Sequence, residues 1–505
     1  MKAPQTFCIL LLFLVTVGCG KAQVDKVLES LNQDSFTTPG VNTANVLENY
    51  EQVIQLEYSS SGSTLAESCS ITSEVNLSVT TPCTCETGIC TVGITPGTAG
   101  VGSFEYTVSN GLIESNASSY DLTIKTMVPF VSQWSITNGD TIELVLGANA
   151  NISIDWGDGT VESYTEGGAT ISHTYGSSNT FTITISGLLE SIGIGFSSRG
   201  KITSIPELGT VGWKTFNAAF LFCSNLVTVS GGDTSEVTDM SNMFYSASLV
   251  EPDTSGWDTS KVTNMRGVFY SAPVATPDTS GWDTSNVTDM SIMFAAAYAA
   301  NPNTAGWDTS SVTNMNGMFM LTNTANPNTA GWDTSKVTNM GQMFYQAKAA
   351  NPDTSSWDTS QVTTMLNMFA YTDNATPNTS GWDTSNVTSM KGMFQNALVA
   401  NPDTSGWNTT NVTDMWDMFK NSGAANPDMS GWDFSSVTVL KDMFLGNTTL
   451  STANYDSLLV QLDQTATAAF AFNAGGATYT NGGAGDTARQ SLVAKLWTFT
   501  DGGGI

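Results

Sequence analysis

The stretch Trp282-Asp283-Thr284-Ser285-Asn286-Val287-Thr288-Asp289-Met290-Ser291-Ile292-Met293-Phe294 decides the fold of this 505-residue chain. Its pattern returns every 25 residues in nine copies between residues 233 and 450, and no copy gains or loses a residue. The valines in phase are Val237, Val262, Val287, Val312, Val337, Val362, Val387, Val412 and Val437. The phenylalanines in phase are Phe244, Phe269, Phe294, Phe319, Phe344, Phe369, Phe394, Phe419 and Phe444. A fixed period of this length predicts a solenoid, because one short unit buries a core only by stacking on its neighbours.

Each copy carries the same local signals. Val-Thr-x-Met predicts a short strand, and Met-Phe followed by small residues predicts a short helical turn that a proline ends. We interpret the Trp, Met and Phe columns as a continuous core. Enzymes usually place their active sites on loops that interrupt a scaffold, and these copies carry no such insertion.

An aspartate follows the tryptophan in seven copies, and Asn408 replaces it in an eighth. We expect this side chain to cap its turn by accepting a backbone N–H two or three residues on. The alternative is a calcium ladder of carboxylates. The threonine columns predict hydroxyl ladders that satisfy a β-surface, with ice binding as the alternative.

The composition excludes some function classes. Sixteen basic and 45 acidic residues give a formal net charge of −29, which disfavours nucleic acid because its binding needs Lys and Arg at the phosphates. His173 is the only histidine, so a His-based metal cluster or a Ser-His-Asp triad would have to use it.

The N-terminus has the features of an export signal. Lys2 precedes an apolar run over residues 7–17, which is too short to span a bilayer. The stretch Thr16-Val17-Gly18-Cys19 resembles a bacterial lipobox. The resemblance implies that residues 1–18 are a signal peptide and that Cys19 carries lipid, which would anchor the protein in a membrane.

Two further signals concern the anchored end. Gly20 follows the cysteine where an aspartate would retain such a lipoprotein in the inner membrane, so we expect the outer membrane and the cell surface. Residues 19–45 are polar and predict a tether.

Residues 46–127 alternate apolar and polar positions, which predicts a β-sandwich. Cys69, Cys83, Cys85 and Cys90 predict two disulfides in an exported domain, and the sequence permits three pairings. Zinc is disfavoured by the oxidising compartment and by the Cys-x-Cys spacing. The segment resembles bacterial immunoglobulin-like or cadherin-like modules.

Residues 128–200 predict a second β-module. Trp156-Gly-Asp-Gly-Thr160 and His173-Thr-Tyr175 resemble the PKD domain, an immunoglobulin-like spacer, and this resemblance assigns His173 a structural role. Asp155 and Asp158 sit in a turn where aspartates normally bond nearby backbone N–H groups. A calcium site on these two residues is the alternative.

The flanks of the repeats predict caps. Residues 201–232 contain a degraded coil, as terminal repeats usually are. Residues 451–505 predict a C-terminal cap with a helix N-capped by Ser451, a strand over residues 469–472 and a second helix starting at Asp486.

The stretch at 282–294 closely resembles the BspA-like repeat of bacterial surface lipoproteins, which is related to leucine-rich repeats. The resemblance implies a leucine-rich-repeat-like solenoid and a role in adhesion to host, matrix or other cells, and it transfers no catalytic residue and no ligand site. Together with the other segments, it predicts a mainly β chain with short helices. This chain would comprise a leucine-rich-repeat-like solenoid of nine coils, preceded by two immunoglobulin-like β-sandwich modules and closed by a small α/β cap.

We therefore expect a non-enzymatic cell-surface lipoprotein that displays the solenoid to an unknown protein or glycan ligand. Its predicted partners include a membrane, through the lipid, but no nucleic acid, and no cofactor is predicted apart from the calcium alternative. One rival hypothesis is a polysaccharide-acting enzyme, which needs two carboxylates about 5–10 Å apart. The other is a calcium-dependent or ice-binding structural protein.

Overall fold

The computed structural model describes residues 35–61, 65–111, 113–165 and 167–505. The predicted signal peptide, Cys19 and the first part of the tether lie outside these residues. The chain divides into two compact units, residues 1–127 and residues 128–505. The described part is mainly β and contains two α-helices, neither of which has the length and apolarity needed to cross a bilayer.

Nine strands make up the described part of the first unit. They are β1 (Phe36–Thr37), β2 (Val41–Leu47), β3 (Gln52–Leu56), β4 (Ser59–Ser60), β5 (Ser68–Val75), β6 (Leu77–Glu86), β7 (Ile89–Pro96), β8 (Gly100–Ser109) and β9 (Ser118–Lys125). A four-stranded sheet has the order β2-β9-β8-β5, a three-stranded sheet has the order β3-β7-β6, and β1 pairs with β4. Side chains from both larger sheets, such as Ile94 and Phe104, belong to one buried cluster.

The predicted tether over residues 19–45 is too long at its C-terminal end. Strand β1 begins at Phe36, and β2 begins at Val41 and pairs in parallel with β9. No alternation of apolar and polar residues marks this strand, because only the last two residues of β2 are buried and Val41 at its start is exposed. Pairing with a strand far along the chain orders this segment instead.

The second unit begins with strands of regular length. They are β10 (Phe130–Ile136), β11 (Thr141–Leu146), β12 (Ala150–Asp155), β13 (Val161–Tyr164), β14 (Thr170–Thr174), β15 (Asn179–Leu189), β16 (Ile192–Ile194), β17 (Ile202–Glu207), β18 (Thr228–Val229) and β19 (Glu251–Pro252). A short 3₁₀ turn spans Phe196–Ser198. A three-stranded sheet has the order β14-β11-β16, and a seven-stranded sheet has the order β13-β12-β15-β10-β17-β18-β19.

The seven-stranded sheet crosses the predicted module boundary at residue 200. Strand β17 is antiparallel to β10, and β18 and β19 then continue in parallel, one per coil. The sheet of the second module therefore runs directly into the first coils. The side chains predicted for a degraded coil over residues 201–232 are fully buried in the same core, among them Ile205, Trp213 and Phe220.

The nine coils over residues 233–450, called the repeat stack below, are joined by a backbone ladder. We number the positions in a coil from its valine, which is position 0, so the phenylalanine is at +7 and the tryptophan at −5. The N–H groups at +3, +5, +7 and +9 donate to the carbonyls at +2, +4, +6 and +8 of the next coil. In one junction these bonds are Met265 to Asp289, Gly267 to Ser291, Phe269 to Met293 and Ser271 to Ala295.

This ladder corrects two local predictions. The predicted strand is reduced to one parallel bridge per coil at +2, for example Asn264 with Asp289. The predicted helical turn does not form, because the residues at +5 and +9 have positive φ in every coil, such as 49° at Ile292 and 56° at Ala296. A left-handed residue cannot continue a right-handed helix. The N–H groups of Ile292 and Ala296 themselves donate to the neighbouring coil, at Asn316 and Met320.

The core of the stack consists of side-chain columns. The Phe column stacks with ring centroids 5.3–5.8 Å apart, as in the 5.5 Å pair Phe344–Phe369. The Trp column stacks at 6.1–6.5 Å with nearly parallel rings. The phenylalanines are fully buried, and the tryptophans are at most 4% exposed. The core columns predicted from the period are confirmed.

The C-terminal segment contains both helices of the described chain. Its elements are α1 (Thr452–Thr465), β20 (Ala471–Asn473), β21 (Thr478–Tyr479), α2 (Ala484–Ala494), β22 (Thr498–Thr500) and β23 (Gly503–Gly504). Ser451 is the N-cap of α1, as predicted, and accepts a hydrogen bond from the Asn454 N–H. Helix α2 starts two residues before Asp486, which lies in its first turn.

Candidate functional site

The aspartates after the tryptophans cap their own turns. Asp258 accepts the Ser260 N–H at 3.0 Å, and Asn408 accepts the Thr410 N–H at 3.1 Å. A second column of Asp or Asn lies at −9, directly after the proline of each coil, and in it Asp253 accepts the Ser255 N–H at 3.1 Å. The capping interpretation is confirmed.

These hydrogen bonds also favour the ionised form of the capping carboxylates. Bonds from the Ser335 hydroxyl and backbone N–H lower the pKa of Asp333, and Ser385 does the same for Asp383. Both carboxylates are therefore ionised at neutral pH and already hold donors from their own turn.

The threonine columns divide into a buried and an exposed set. At −3, Thr259 is 1% exposed and its hydroxyl donates to the Asp283 carbonyl of the next coil at 2.8 Å. At +1, Thr263 is exposed, and its hydroxyl donates to the Thr238 carbonyl of the preceding coil at 3.2 Å. Because each proton is used within the stack, the exposed column presents only oxygen lone pairs to the outside.

Asp155 and Asp158 both bond to their own turn. Asp155 accepts the Gly157 N–H at 2.8 Å, and Asp158 accepts the Thr160 N–H at 3.0 Å. The second oxygen of Asp158 lies 2.8 Å from Nε2 of His173. Burial raises the pKa of Asp158, but the bonds from His173 and Thr160 outweigh it and lower the pKa overall.

The ring of His173 is held by its neighbours. It stacks on Trp156 with centroids 4.9 Å apart and meets Tyr175 edge-on at 4.7 Å. Both aromatic rings belong to the buried core. These contacts give His173 a structural setting, as the sequence predicted.

The cysteines of the first unit form the predicted disulfides. Cys69 pairs with Cys83, which joins edge strands of the two larger sheets, and Cys85 pairs with Cys90 across the β6–β7 hairpin. Within the described residues, the sulfurs of Cys69, Cys85 and Cys90 are the only three Cys, His or carboxylate ligand atoms within 4.8 Å of one another. Cys223 is a free, buried thiol, and burial raises its pKa to about 12.

Four positions per coil, +4, +5, +8 and +9, vary from coil to coil, and we call them together the variable face. They flank positions +3, +6 and +7 of the same segment, which hold a buried Met or other apolar residue at +3 and +6 and an invariant Phe at +7. At +8 the nine residues are Tyr245, Tyr270, Ala295, Met320, Tyr345, Ala370, Gln395, Lys420 and Leu445. Sequence reasoning missed these residues because it followed what the coils share. A comparison of the coils position by position would have identified them.

The variable face carries cations and aromatic rings in a chain that is otherwise acidic. Trp416 at +4 lies between two lysines at +4 of the adjacent coils, with Lys391 Nζ 4.2 Å and Lys441 Nζ 5.9 Å from the ring centroid. In the same coil, Lys420 forms a 3.2 Å salt bridge with Asp417. The positions that all nine coils share hold no Lys or Arg.

Comparisons with known proteins match only the repeats. Residues 214–326, 274–379 and 350–458 each match the model of a family described as "Mycoplasma protein of unknown function, DUF285". The overlapping matches run from residue 214 to residue 458, just under half of the chain. No curated protein and no solved structure is significantly similar to the chain. The repeat stack is thus similar to a described repeat-containing family, and that family has no established function.

Proposed function

We propose that this chain is a non-enzymatic, lipid-anchored bacterial cell-surface protein whose repeat stack displays an adhesive surface for a protein or glycan ligand. The observation that carries the proposal is the contrast between invariant and variable positions in each coil. The invariant Asp and Thr side chains bond to the stack itself, as Asp258 and Thr259 do. The side chains that differ between coils repeat no such bond, so we assign the ligand contacts to those among them that are exposed.

The finer assignments belong to the same proposal. The repeat stack is a BspA-like, leucine-rich-repeat-like solenoid, and residues 451–505 close it. Residues 46–127 and 128–200 are immunoglobulin-like and PKD-like spacers between the stack and the lipid on Cys19. The two-sheet core of the first unit and the Asp158–His173 pair of the second support these assignments.

The ladder between coils favours display over catalysis. Four backbone hydrogen bonds join each coil to the next through positions +3 to +9, so an insertion there would break the pairing of two neighbours. A hydrolase would need two carboxylates free to face a cleft. The repeated carboxylates instead accept hydrogen bonds from their own turns.

Palmitate labelling combined with protease shaving of intact cells tests the proposal. We expect the full-length protein to be labelled and to be released by the protease, and we expect the Cys19→Ala variant to be unlabelled and found in the medium. Cys223→Ala is the matched control, because that thiol is buried and should not change labelling or release. A wild-type protein that is neither labelled nor shaved would contradict surface display.

A further inference from the structure

An aromatic strip lies where the second module meets the first coils of the repeat stack. It consists of Phe196, Arg199, Phe222, Tyr245 and Tyr270. The Phe222 ring lies 5.2 Å from Tyr245, and Tyr245 lies 4.6 Å from Tyr270, measured between centroids. The Arg199 guanidinium lies 5.6 Å from the Phe196 centroid and 5.7 Å from that of Phe222. The strip therefore links three consecutive coils with the 3₁₀ turn before them.

Phe222 is held in a conformation and an environment that are both unfavourable for it. It occupies the position equivalent to +9 in the coil before the first repeat, with a φ of 60°, and its side chain is 45% exposed. A bulky residue in the left-handed region costs about 1–2 kcal/mol where glycine or asparagine would be accommodated. Its exposed ring gains little from burial in return. The left-handed conformation recurs at +9 in every coil and is explained by the ladder, so the exposed ring is the feature that points to a role outside the fold.

Phe196 is exposed but rigidly supported. Its side chain is 83% exposed, and it begins the 3₁₀ turn Phe196–Ser198. The Ser198 hydroxyl accepts the Glu143 N–H at 2.8 Å, and the Arg199 Nε donates to the Ile194 carbonyl at 3.1 Å. These bonds hold the turn that presents the Phe196 ring, and a prearranged turn reduces the entropy lost on binding.

The geometry favours a protein partner over a glycan. The rings of Phe222 and Tyr245 are inclined at 71°, and those of Tyr245 and Tyr270 at 69°. Such edge-to-face rings do not form the coplanar platform on which successive sugar rings stack. Protein interfaces, in contrast, are enriched in Tyr, Phe and Arg at their centres.

Charge defines the partner further. Arg199 is half-buried beside the rings and, within the described chain, forms no salt bridge with a carboxylate. It is one of only 16 basic residues in a chain with a net charge of −29. A partner that places a carboxylate on this guanidinium gains a charge-assisted hydrogen bond at a site that apolar contact dehydrates.

We propose that the aromatic strip docks a protein partner that presents apolar side chains next to a carboxylate. The apolar side chains pack on Phe196, Phe222 and the two tyrosines, and the carboxylate binds Arg199. The inference rests on the proposed function, since it assigns a location and a ligand class to the displayed surface.

The test uses the full chain and probes of defined chemistry. The probes are arrays of synthetic peptides that combine Leu, Phe and Tyr with Asp and Glu, matched arrays with Lys in place of the acids, and an array of neutral and acidic glycans. The variants are Phe196→Ser combined with Phe222→Asn, and Arg199→Glu. Asparagine tolerates the left-handed conformation, so the double variant should keep its fold. The control is Tyr345→Ser with Tyr371→Ser, a ring pair elsewhere on the variable face.

We expect the wild type to bind acidic apolar peptides at least tenfold more tightly than the Lys-matched set. The double variant should lose at least tenfold in affinity for the acidic set, and the control variant should keep it. Arg199→Glu should reverse the preference, so that the Lys-matched peptides bind better. This reversal would not follow from a merely structural role of Arg199.

Three outcomes would overturn the inference. They are equal binding of acidic and basic peptides, peptide binding that the strip variants leave unchanged, and glycan binding that the strip variants abolish. The second and third outcomes leave the display function intact, because a ligand is still bound. No binding to any probe also removes the strip as a protein-docking site, and the labelling and shaving experiment then judges surface display separately.

Discussion

The first unit and the repeat stack both pair the backbones of neighbouring segments, but different interactions hold them together. In the first unit, two sheets of different strand order enclose one core, and the Cys69–Cys83 disulfide joins their edges. In the repeat stack, one set of contacts recurs from coil to coil: four backbone hydrogen bonds between +3 and +9, a fifth at +1, the phenylalanine column and, from the second coil on, the tryptophan column. The first unit therefore depends on contacts made once, whereas the stack adds a similar interface energy at each step.

The largest effect is expected in the core of the stack. Phe344 is fully buried between Phe319 and Phe369, at 5.7 Å and 5.5 Å between ring centroids. Phe344→Ala should lower the free energy of unfolding of the second unit by about 3–5 kcal/mol, because it leaves a cavity in a continuous column. Urea denaturation followed by tryptophan fluorescence measures this loss.

The neighbouring residue supplies the control for this prediction. Tyr345 lies at +8 and is half-buried, so Tyr345→Ala should cost less than half as much as Phe344→Ala. Equal losses for the two variants would mean that the stack is not held by its aromatic columns.

The first unit should depend on its inter-sheet disulfide. The cysteines of the Cys69–Cys83 pair are 14 residues apart in sequence. Replacing both with serine should lower the stability of this unit by about 3 kcal/mol, the value expected from the chain entropy of a loop of that size. Replacing Cys85 and Cys90, which close a shorter loop, should cost about 2 kcal/mol on the same scale.

Hydrogen exchange separates these losses from those of the stack. Amides of the first unit should exchange faster in both double variants, and amides of the repeat stack should keep the wild-type rates. Faster exchange in the repeat stack would contradict the view that the two disulfides stabilise only the first unit.

The left-handed positions offer a test of intermediate size. Gln346 at +9 has a φ of 56°, and Gly317 at +5 has a φ of 62°. Gln346→Gly should stabilise the stack by about 1 kcal/mol by removing strain. Gly317→Ala should destabilise it by about 1–2 kcal/mol, since its Cβ would also lie 3.0 Å from Cγ2 of Ile292. Thermal unfolding midpoints of the two variants should move in opposite directions, and parallel shifts would contradict the strain argument.

The sequence predicted the core of the stack because its phase is strict. Every in-phase valine and phenylalanine is buried, as the repeat of 25 residues requires. The backbone between +3 and +9 could not be predicted, because Met-x-x-Met-Phe has the spacing of a helical turn. The sequence also does not reveal the left-handed residues at +5 and +9, because only four of these eighteen residues are glycines. They are Gly267, Gly317, Gly392 and Gly446.

The candidate site was predicted only in part, for a similar reason. The bonds of Asp155 and Asp158 to backbone N–H groups of their own turn were predicted, whereas the 2.8 Å pair between Asp158 and His173 was not. The aromatic strip could not be predicted. Phe196 and Tyr270 belong to different predicted segments, which the sequence pattern divides at residue 200. Strand β17 joins these segments because it pairs with β10.

The smallest effect concerns the capping aspartates and their charge. Asp333 accepts the Ser335 N–H at 2.9 Å, so Asp333→Ala should cost about 1 kcal/mol, the net value of one hydrogen bond. Asp333→Asn should stay close to the wild type at pH 7, because Asn408 fills the same role in another coil.

Lowering the pH should reveal the charge of this cap. The hydroxyl and backbone N–H of Ser335 lower the pKa of Asp333 in the folded state below its unfolded value. The charged cap therefore stabilises the fold above the unfolded pKa of about 4, and this contribution is lost as the pH falls through the lower, folded pKa. The thermal midpoint of the wild type should thus drop more between pH 7 and pH 3 than that of Asp333→Asn. Because like caps recur along the stack, replacing Asp308 and Asp383 as well should enlarge the difference, and an unchanged difference would mean that the carboxylates act only as neutral acceptors.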